Sequence, residues 1–231
     1  MIDSSLLQKI SFIDIETSGQ CEDFHDLNPR LVELWKKRCD WIRKNNPAEA
    51  NLDNSQLWEN KASLHPEFCR VVCVTFGAFQ KDFSKKIMSF TGEEKDILEK
   101  TNKILDNIHN NGWHLGGHTI KNFDIPVLGK RMLANRINPS KLIVVWNKKP
   151  WESNFLDIAE MYSFGGWGHN HSSLDLMAAH LGIASPKAEM NGSQVHRAFY
   201  DGKIAQITTY CEKDVEVVMD VFHNMSSIYL L

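Results

Sequence analysis

The segment I-S-F-I-D-I-E, from Ile10 to Glu16, alternates apolar with polar positions and is rich in β-branched residues. That is the pattern of an extended strand, and the turn signal Thr17-Ser18-Gly19 ends it. Asp14 and Glu16 stand two residues apart, so both carboxylates leave one face while Ile13 and Ile15 leave the other. Two acids at the carboxyl end of an apolar strand are costly unless something compensates them. A divalent cation is the simplest compensation, but solvated acids on an edge strand fit the same three residues, and D-x-E alone leaves both readings open.

Downstream, Asn28-Pro29 reads as a helix start, with Leu31, Leu34, Trp35, Arg38 and Ile42 near one face. A short helix carrying Leu57 and Trp58 follows a polar stretch. The run R-V-V-C-V-T-F-G-A-F, from Arg70 to Phe79, is apolar almost throughout, as a central strand is. Ser84 to Phe90 is its hairpin partner. Thr91-Gly92-Glu93-Glu94 fits a capping box, leading a helix through Ile97, Leu98, Thr101, Leu105 and Ile108. Trp113 to Leu115 is a short strand, Pro126 to Asn135 a helix with proline in its first turn, and Lys141 to Trp146 a further strand. Ser172 or Ser173 caps a helix that Gly182 stops, and a long helix runs from about Ile204 to Met225. No repeat or linker interrupts this order, so residues 1–231 read as one α/β domain, with a helical insertion at about 20–66.

Two more acids occupy suggestive positions. Asp124, in G-G-H-T-I-K-N-F-D-I-P-V-L-G-K-R, stands at a helix entry, where a carboxylate also suits the helix dipole. In Y-C-E-K-D-V, Tyr210 and Asp214 are four apart on one helix face, and Val217 and Val221 continue that face, which leaves Asp214 half-buried and in want of a partner.

Taken in order, D-I-E-T, N-F-D-I-P and Y-C-E-K-D-V resemble the three exonuclease motifs of the DEDD superfamily. They are most similar to the tyrosine-type branch, which includes the proofreading domains of family-B DNA polymerases; Thr209 stands where the sister branch carries histidine. The resemblance implies an RNase H-like fold, a five-stranded mixed sheet flanked by helices. It also implies a 3′–5′ exonuclease that releases nucleoside monophosphates from single-stranded DNA with two divalent cations, Mg²⁺ or Mn²⁺. Asp14 would bridge both ions, Glu16 and Asp214 would complete one, Asp124 would serve the other, and Tyr210 would orient the attacking water. Thr17, Asn122 and Phe123 would contact the terminal nucleotide, with Phe123 equally suited to the core. An RNA 3′-end trimmer keeps the fold and changes the substrate. A silent nucleic-acid-binding module is the alternative of another class, disfavoured because all four acids and the tyrosine are kept.

Other residues weigh less. Lys121, Lys130 and Arg131 are candidates for holding phosphates, though such side chains more often end as solvated surface. Asp157 reads as a hydrogen-bonded strand-end acid rather than a fifth ligand. His169 and His171, in a glycine-rich stretch, read as a surface loop rather than a zinc site. Trp35, Trp41 and Trp58 are expected to be buried within the insertion, with base stacking the lesser alternative.

Composition agrees with this class. The chain has 231 residues, 42% hydrophobic and 24% charged, enough to bury a core without disulfides. Its five cysteines form no C-x-x-C pair, so a zinc ribbon or dithiol redox motif is excluded. No 18-residue apolar run is present and the first residues do not resemble a secretory signal. A cytoplasmic protein with reduced thiols and no membrane contact is expected, and a proofreading role is expected to need a replication or repair partner. The net charge of −3 speaks against nucleic acid only until two divalent cations are added where a phosphate must sit.

Overall fold

The structure, a computed structural model, describes residues 4–149, 152–166, 172–184 and 190–228. Its centre is a five-stranded sheet in the order β3-β2-β1-β4-β5. The strands are β1 (Ile10–Gly19), β2 (Cys69–Phe79), β3 (Lys85–Thr91), β4 (His114–Gly117) and β5 (Phe155–Asp157). β1 pairs antiparallel with β2 and parallel with β4; β3 continues β2 as an antiparallel hairpin and β5 runs parallel to β4. The sheet is therefore mixed, as expected of an RNase H-like fold.

Alternation along β1 divides the core. Ile13 and Ile15 pack with Val74, Phe76 and the buried face of helix α4 (Glu94–Asn110), which carries Ile97, Leu98, Leu105 and Ile108. Phe12 points the other way, into a layer with Val218, Met219 and Phe222 of the last helix, α9 (Ile204–Ile228). α9 approaches β2 closely: a Cβ at Gly77 would stand 2.6 Å from both Val215 Cγ1 and Met219 Sδ. Any side chain there would have to displace Val215 and Met219 of the helix.

Between β1 and β2 the insertion forms a cluster of its own. Helix α2 (Pro29–Asn45) starts with the Asn28 cap and proline that the sequence announces, and α3 (Asn54–Lys61) with an Asp53/Gln56 capping box. Trp35, Cys39 and Ile42 of α2 meet Leu57 and Trp58 of α3 and Phe68 in a cluster closed by edge-to-face rings, Trp35 and Trp58 having centroids 5.0 Å apart. Trp35 and Trp58 are buried as expected. Trp41 is not: it is 56% exposed, because it lies one position off the buried stripe.

Three further expectations fail. β1 does not turn at Thr17-Ser18-Gly19 but runs on to Gly19, pairing with Val71, Arg70 and Cys69 past a bulge. Residues 141–146 are turn rather than strand: Ser140 accepts the Leu142 N–H with its hydroxyl and the Ile143 N–H with its carbonyl, an arrangement that competes with sheet pairing. The fifth strand is instead Phe155–Asp157. The capping box at Thr91–Glu94 also does not form; Glu93 occupies the N-cap without a side-chain bond. Glu94 is drawn inward, where its carboxylate receives Arg131 Nε and Nη2 at 2.8 and 2.7 Å, the Val71 N–H at 2.8 Å and Asn135 Nδ2 at 3.0 Å. This buried network ties α4 and β2 to helix α5 (Asp124–Ala134), which begins two residues before the expected Pro126. Glu94→Ala would strand the Arg131 guanidinium, and breaking a buried pair from one side costs about 3–5 kcal/mol. Urea unfolding should show a loss of that size, and Glu94→Ala with Arg131→Met should recover part of it.

Candidate active site

The carboxyl end of β1 is where the acids meet. Asp14 stands opposite Thr75 of β2 and Glu16 opposite Cys73, and a bulge between Glu16 and Thr17 then shifts the register. On the other side the ladder to β4 ends at Phe12 and Gly116, leaving the edge of β1 beyond Ile13 free. Asp124, the first residue of α5, fills that gap with its carboxylate against the backbone of Ile15. α9 supplies the remaining groups, with Cys211 Sγ 3.2 Å from Asp14 Oδ2 and Tyr210 hydrogen-bonded to the Asp214 carboxylate one turn along.

The loop before α5 is held by Asp157, the β5-terminal acid. Its carboxylate accepts the N–H groups of Thr119 at 3.0 Å, Lys121 at 3.1 Å and Ala159 at 3.1 Å. Thr119 lies in the left-handed region, φ 60, a conformation that costs a non-glycine residue energy and persists only when neighbours fix it. Asp157 is thus the hydrogen-bonded acid its position suggests, and what it fixes is the entry of Asp124 into the site.

Electrostatics mark the cluster as strained. Glu16 and Asp124 are 8% and 3% exposed, while Asp14 and Asp214 are partly open to solvent. Burial, then the charges of Asp124 and Asp214, hold Asp14 well above the usual carboxylate range. Glu16 is raised in the same way by burial and by Asp14. Burial pushes Asp124 to about 7 and Asp214 to about 6, Tyr210 opposing the latter shift by its hydrogen bond. The Tyr210 phenol is itself raised by burial and by the Asp214 charge, so it is a neutral donor and no general base.

Asp14, Glu16, Asp124, Asp214 and Tyr210, separated by up to 200 positions, therefore form one constellation. The tightest subset among the described residues is Asp14, Glu16 and Cys211, whose ligand atoms lie within 4.8 Å of one another. Asp124 and Asp214 stand farther out. Asp124 Oδ1 is buried with no hydrogen-bond partner among the described residues, which a buried carboxylate oxygen rarely tolerates. Oxygen donors, mutual repulsion and this orphaned atom all fit a hard cation.

The remaining expectations sort unevenly. Asn122 is exposed at the mouth of α5, and Phe123 beside it is half-buried against the core. Thr17 is buried, its hydroxyl donating to the Ser63 carbonyl at 2.8 Å, so only its backbone remains for a ligand. Lys121, Lys130 and Arg131 are not free phosphate binders, since they pair with Glu160, Glu67 and Glu94. His169 and His171 lie outside the described residues. Cys211, expected only as one of five reduced thiols, touches Asp14; its place beside Tyr210 in the third motif was the available signal.

Each clustered acid has a folded-state pKa above its unfolded value, so the folded chain binds more protons and loses stability as pH rises through that interval. In chelator the melting temperature should fall between about pH 4, the ordinary carboxylate range, and about 7, where Asp124 titrates. Mn²⁺ should restore it most at the alkaline end, and Asp14→Asn should flatten the slope. A melting temperature that rises over this interval in chelator would contradict the assignment of the shifts.

Comparison with known proteins agrees with this geometry. The profile of a family described as a predicted 3′-5′ exonuclease related to the exonuclease domain of PolB matches residues 62–228. That span holds Asp124, Tyr210 and Asp214 but not Asp14 or Glu16, which join the site through the fold. No curated protein matches. Among solved structures, the family B DNA polymerase of the hyperthermophilic archaeon Pyrobaculum calidifontis superposes with a TM-score of 0.60 at 13% identity, over 94% of this chain. The chain spans 24% of that polymerase's length, and at such identity the likeness is one of fold. With well over half of its length matched by the family profile, the chain belongs to the predicted 3′–5′ exonucleases related to the exonuclease domain of PolB.

Proposed function

We propose that this exonuclease hydrolyses single-stranded DNA from its 3′ end, one nucleoside monophosphate at a time, with two divalent cations. The observation that carries the reading is the meeting of Asp14, Glu16, Asp124 and Asp214 at the end of β1, where Asp124 and Asp214 raise the pKa of Asp14 and all three raise that of Glu16. Such a cluster costs stability on its own and is what a phosphoryl-transfer site requires. Descent from the exonuclease branch related to a DNA polymerase favours DNA over RNA as substrate.

In this reading Asp14, Glu16, Asp214 and Asp124, the last through its unpartnered Oδ1, would hold the two cations. Bound there, Mg²⁺ or Mn²⁺ supplies Lewis-acid stabilisation of charge on the phosphodiester and a source of nucleophile at neutral pH. Cys211 remains a protonated thiol, held up by burial and by the Asp14 charge, so the donor set stays hard and favours these ions over zinc. Tyr210, neutral and hydrogen-bonded to Asp214, orients the attacking water and takes no proton from it. Asn122 and Phe123, at the mouth of α5, bear on the terminal sugar and base, and the backbone at Thr17 on its other side.

Asp14→Ala should lower hydrolysis of a labelled single strand by at least about a thousandfold, the scale of lost metal and electrostatic stabilisation. Its folding should survive, since a like-charge contact is relieved. Near-normal cleavage by folded Asp14→Ala, or cleavage undiminished in EDTA, would refute the reading. Tyr210→Phe should cost about 10²–10⁴ in turnover, the range for a positioned catalytic group, with little change in KM. A purely structural hydroxyl would instead cost about 0.5–1.5 kcal/mol of stability and leave turnover alone. Turnover and melting temperature measured on the same preparation separate these outcomes.

A further inference from the structure

Two hollows lie on the surface outside the acid cluster, and one ion pair joins their linings. The larger, about 690 Å³, lies between α5 and the segment 139–149. It begins at Lys121 and Ile125, which bracket Asp124, and passes along α5 to Leu133, with Trp146 on its rim 86% exposed. The smaller, about 450 Å³, lies on the outer face of α2. There Trp41 is 56% exposed and the Arg38 guanidinium sits 5.4 Å from its ring centroid. Lys130 lines the first hollow and Glu67 the second, and the two are ion-paired at 2.8 Å. One band thus leads from the entry of the carboxylate site to the insertion.

Chemically the band is unlike the rest of the molecule. Its lining carries six cations against two acids, whereas the whole chain carries a net charge of −3. Both acids, Glu160 and Glu67, are already engaged by lysines of the band. α2 is also two-faced: Trp35, Cys39 and Ile42 are buried, while Leu34 and Trp41 are large apolar residues left outside, with Arg38 between them. Scattered exposed apolar residues need no explanation. Two exposed indoles joined by a basic path are the components of a single-strand groove, in which rings stack bases and cations follow phosphates.

We propose that this band is a track for the part of a single-stranded nucleic acid lying 5′ to the cleaved end, with Trp146 and Trp41 as successive stacking platforms. It rests on the proposed function for its direction. The insertion, which precedes most of the family match, then extends the grip on the strand rather than covering the site. Arg38 stiffens the outer platform by lying across its ring. Lys37 and Lys148 add the sequence-independent attraction for phosphate.

The test uses the intact chain in EDTA and labelled oligothymidylates of about 5 and about 15 nucleotides, bracketing the site sizes of single-strand grooves. The longer strand should bind at least about tenfold more tightly and quench tryptophan fluorescence. Trp41→Ala with Trp146→Ala should remove most of that gain; both side chains are largely exposed, so the core stays intact. Lys37→Glu with Lys148→Glu should weaken the longer strand selectively and flatten its salt dependence. Equal affinity for both lengths, or a gain that survives loss of both indoles, overturns the track and assigns the apolar band to a protein partner. Digestion of the same strands with Mg²⁺ keeps the two ideas apart. A long strand bound through the tryptophans but never cleaved refutes the nuclease chemistry alone, whereas cleavage without tryptophan dependence refutes the track alone.

Discussion

Crowding of like charge at the end of β1 is the constraint around which this chain is organised. Four carboxylates come from one strand and two helices into a volume where burial penalises every ionised form. Nothing hydrophobic draws them there. They arrive because their neighbours have no alternative: Ile13 and Ile15 must enter one core layer and Phe12 the other, which leaves Asp14 and Glu16 pointing at α9. The apolar energy of a two-layered α/β core thus holds in place a cluster that repels itself.

The polar groups beneath the surface divide accordingly. The two buried acids that serve the architecture are fully engaged: Glu94 takes four donors and Asp157 three backbone N–H groups. At the acid cluster it stops short, and Asp124 Oδ1 is left without a donor. Satisfied networks rigidify and unsatisfied ones are costly, so among these three acids the contrast separates the two that build the frame from the one left open to a ligand. Both satisfied acids adjoin α5, one at its flank and one before its first turn, and between them they fix where Asp124 stands.

How much of this was legible in the sequence depended on the range of the interaction involved. Local signals were read well. The period of β1, the Asn28-Pro29 start of α2 and the Ser173 cap of α7 (Leu174–His180) all depend on neighbours within a few residues. Residues 141–146 misled because β-branched composition mimics a strand, while a single hydroxyl at Ser140 turns the backbone instead. Glu94 looked like part of a cap, since its true partner Arg131 lies 37 positions away. The four acids were recoverable only through motif order; no local property of Asp124 distinguishes it from a capping residue. Cys211 and the exposure of Trp41 stayed hidden for a related reason. Each is decided by which side of a helix meets its neighbour, a matter of rotation by one position.

The contact at Gly77 carries a consequence for how this enzyme tolerates change. The bare backbone of β2 lies there against Val215 Cγ1 and Met219 Sδ of α9, and Val215 is the residue next to Asp214. A methyl group would act as a shim under the helix, lifting Tyr210 and Asp214 together while Asp14 and Glu16 stay with the sheet. Reacting groups displaced by about 1 Å can lose two orders of magnitude in rate. An inactive lineage could therefore keep every acid and the tyrosine intact and be silenced from the opposite end of a strand. Vigilance for such losses belongs at the places where backbone rests on helix, as much as at the motifs themselves.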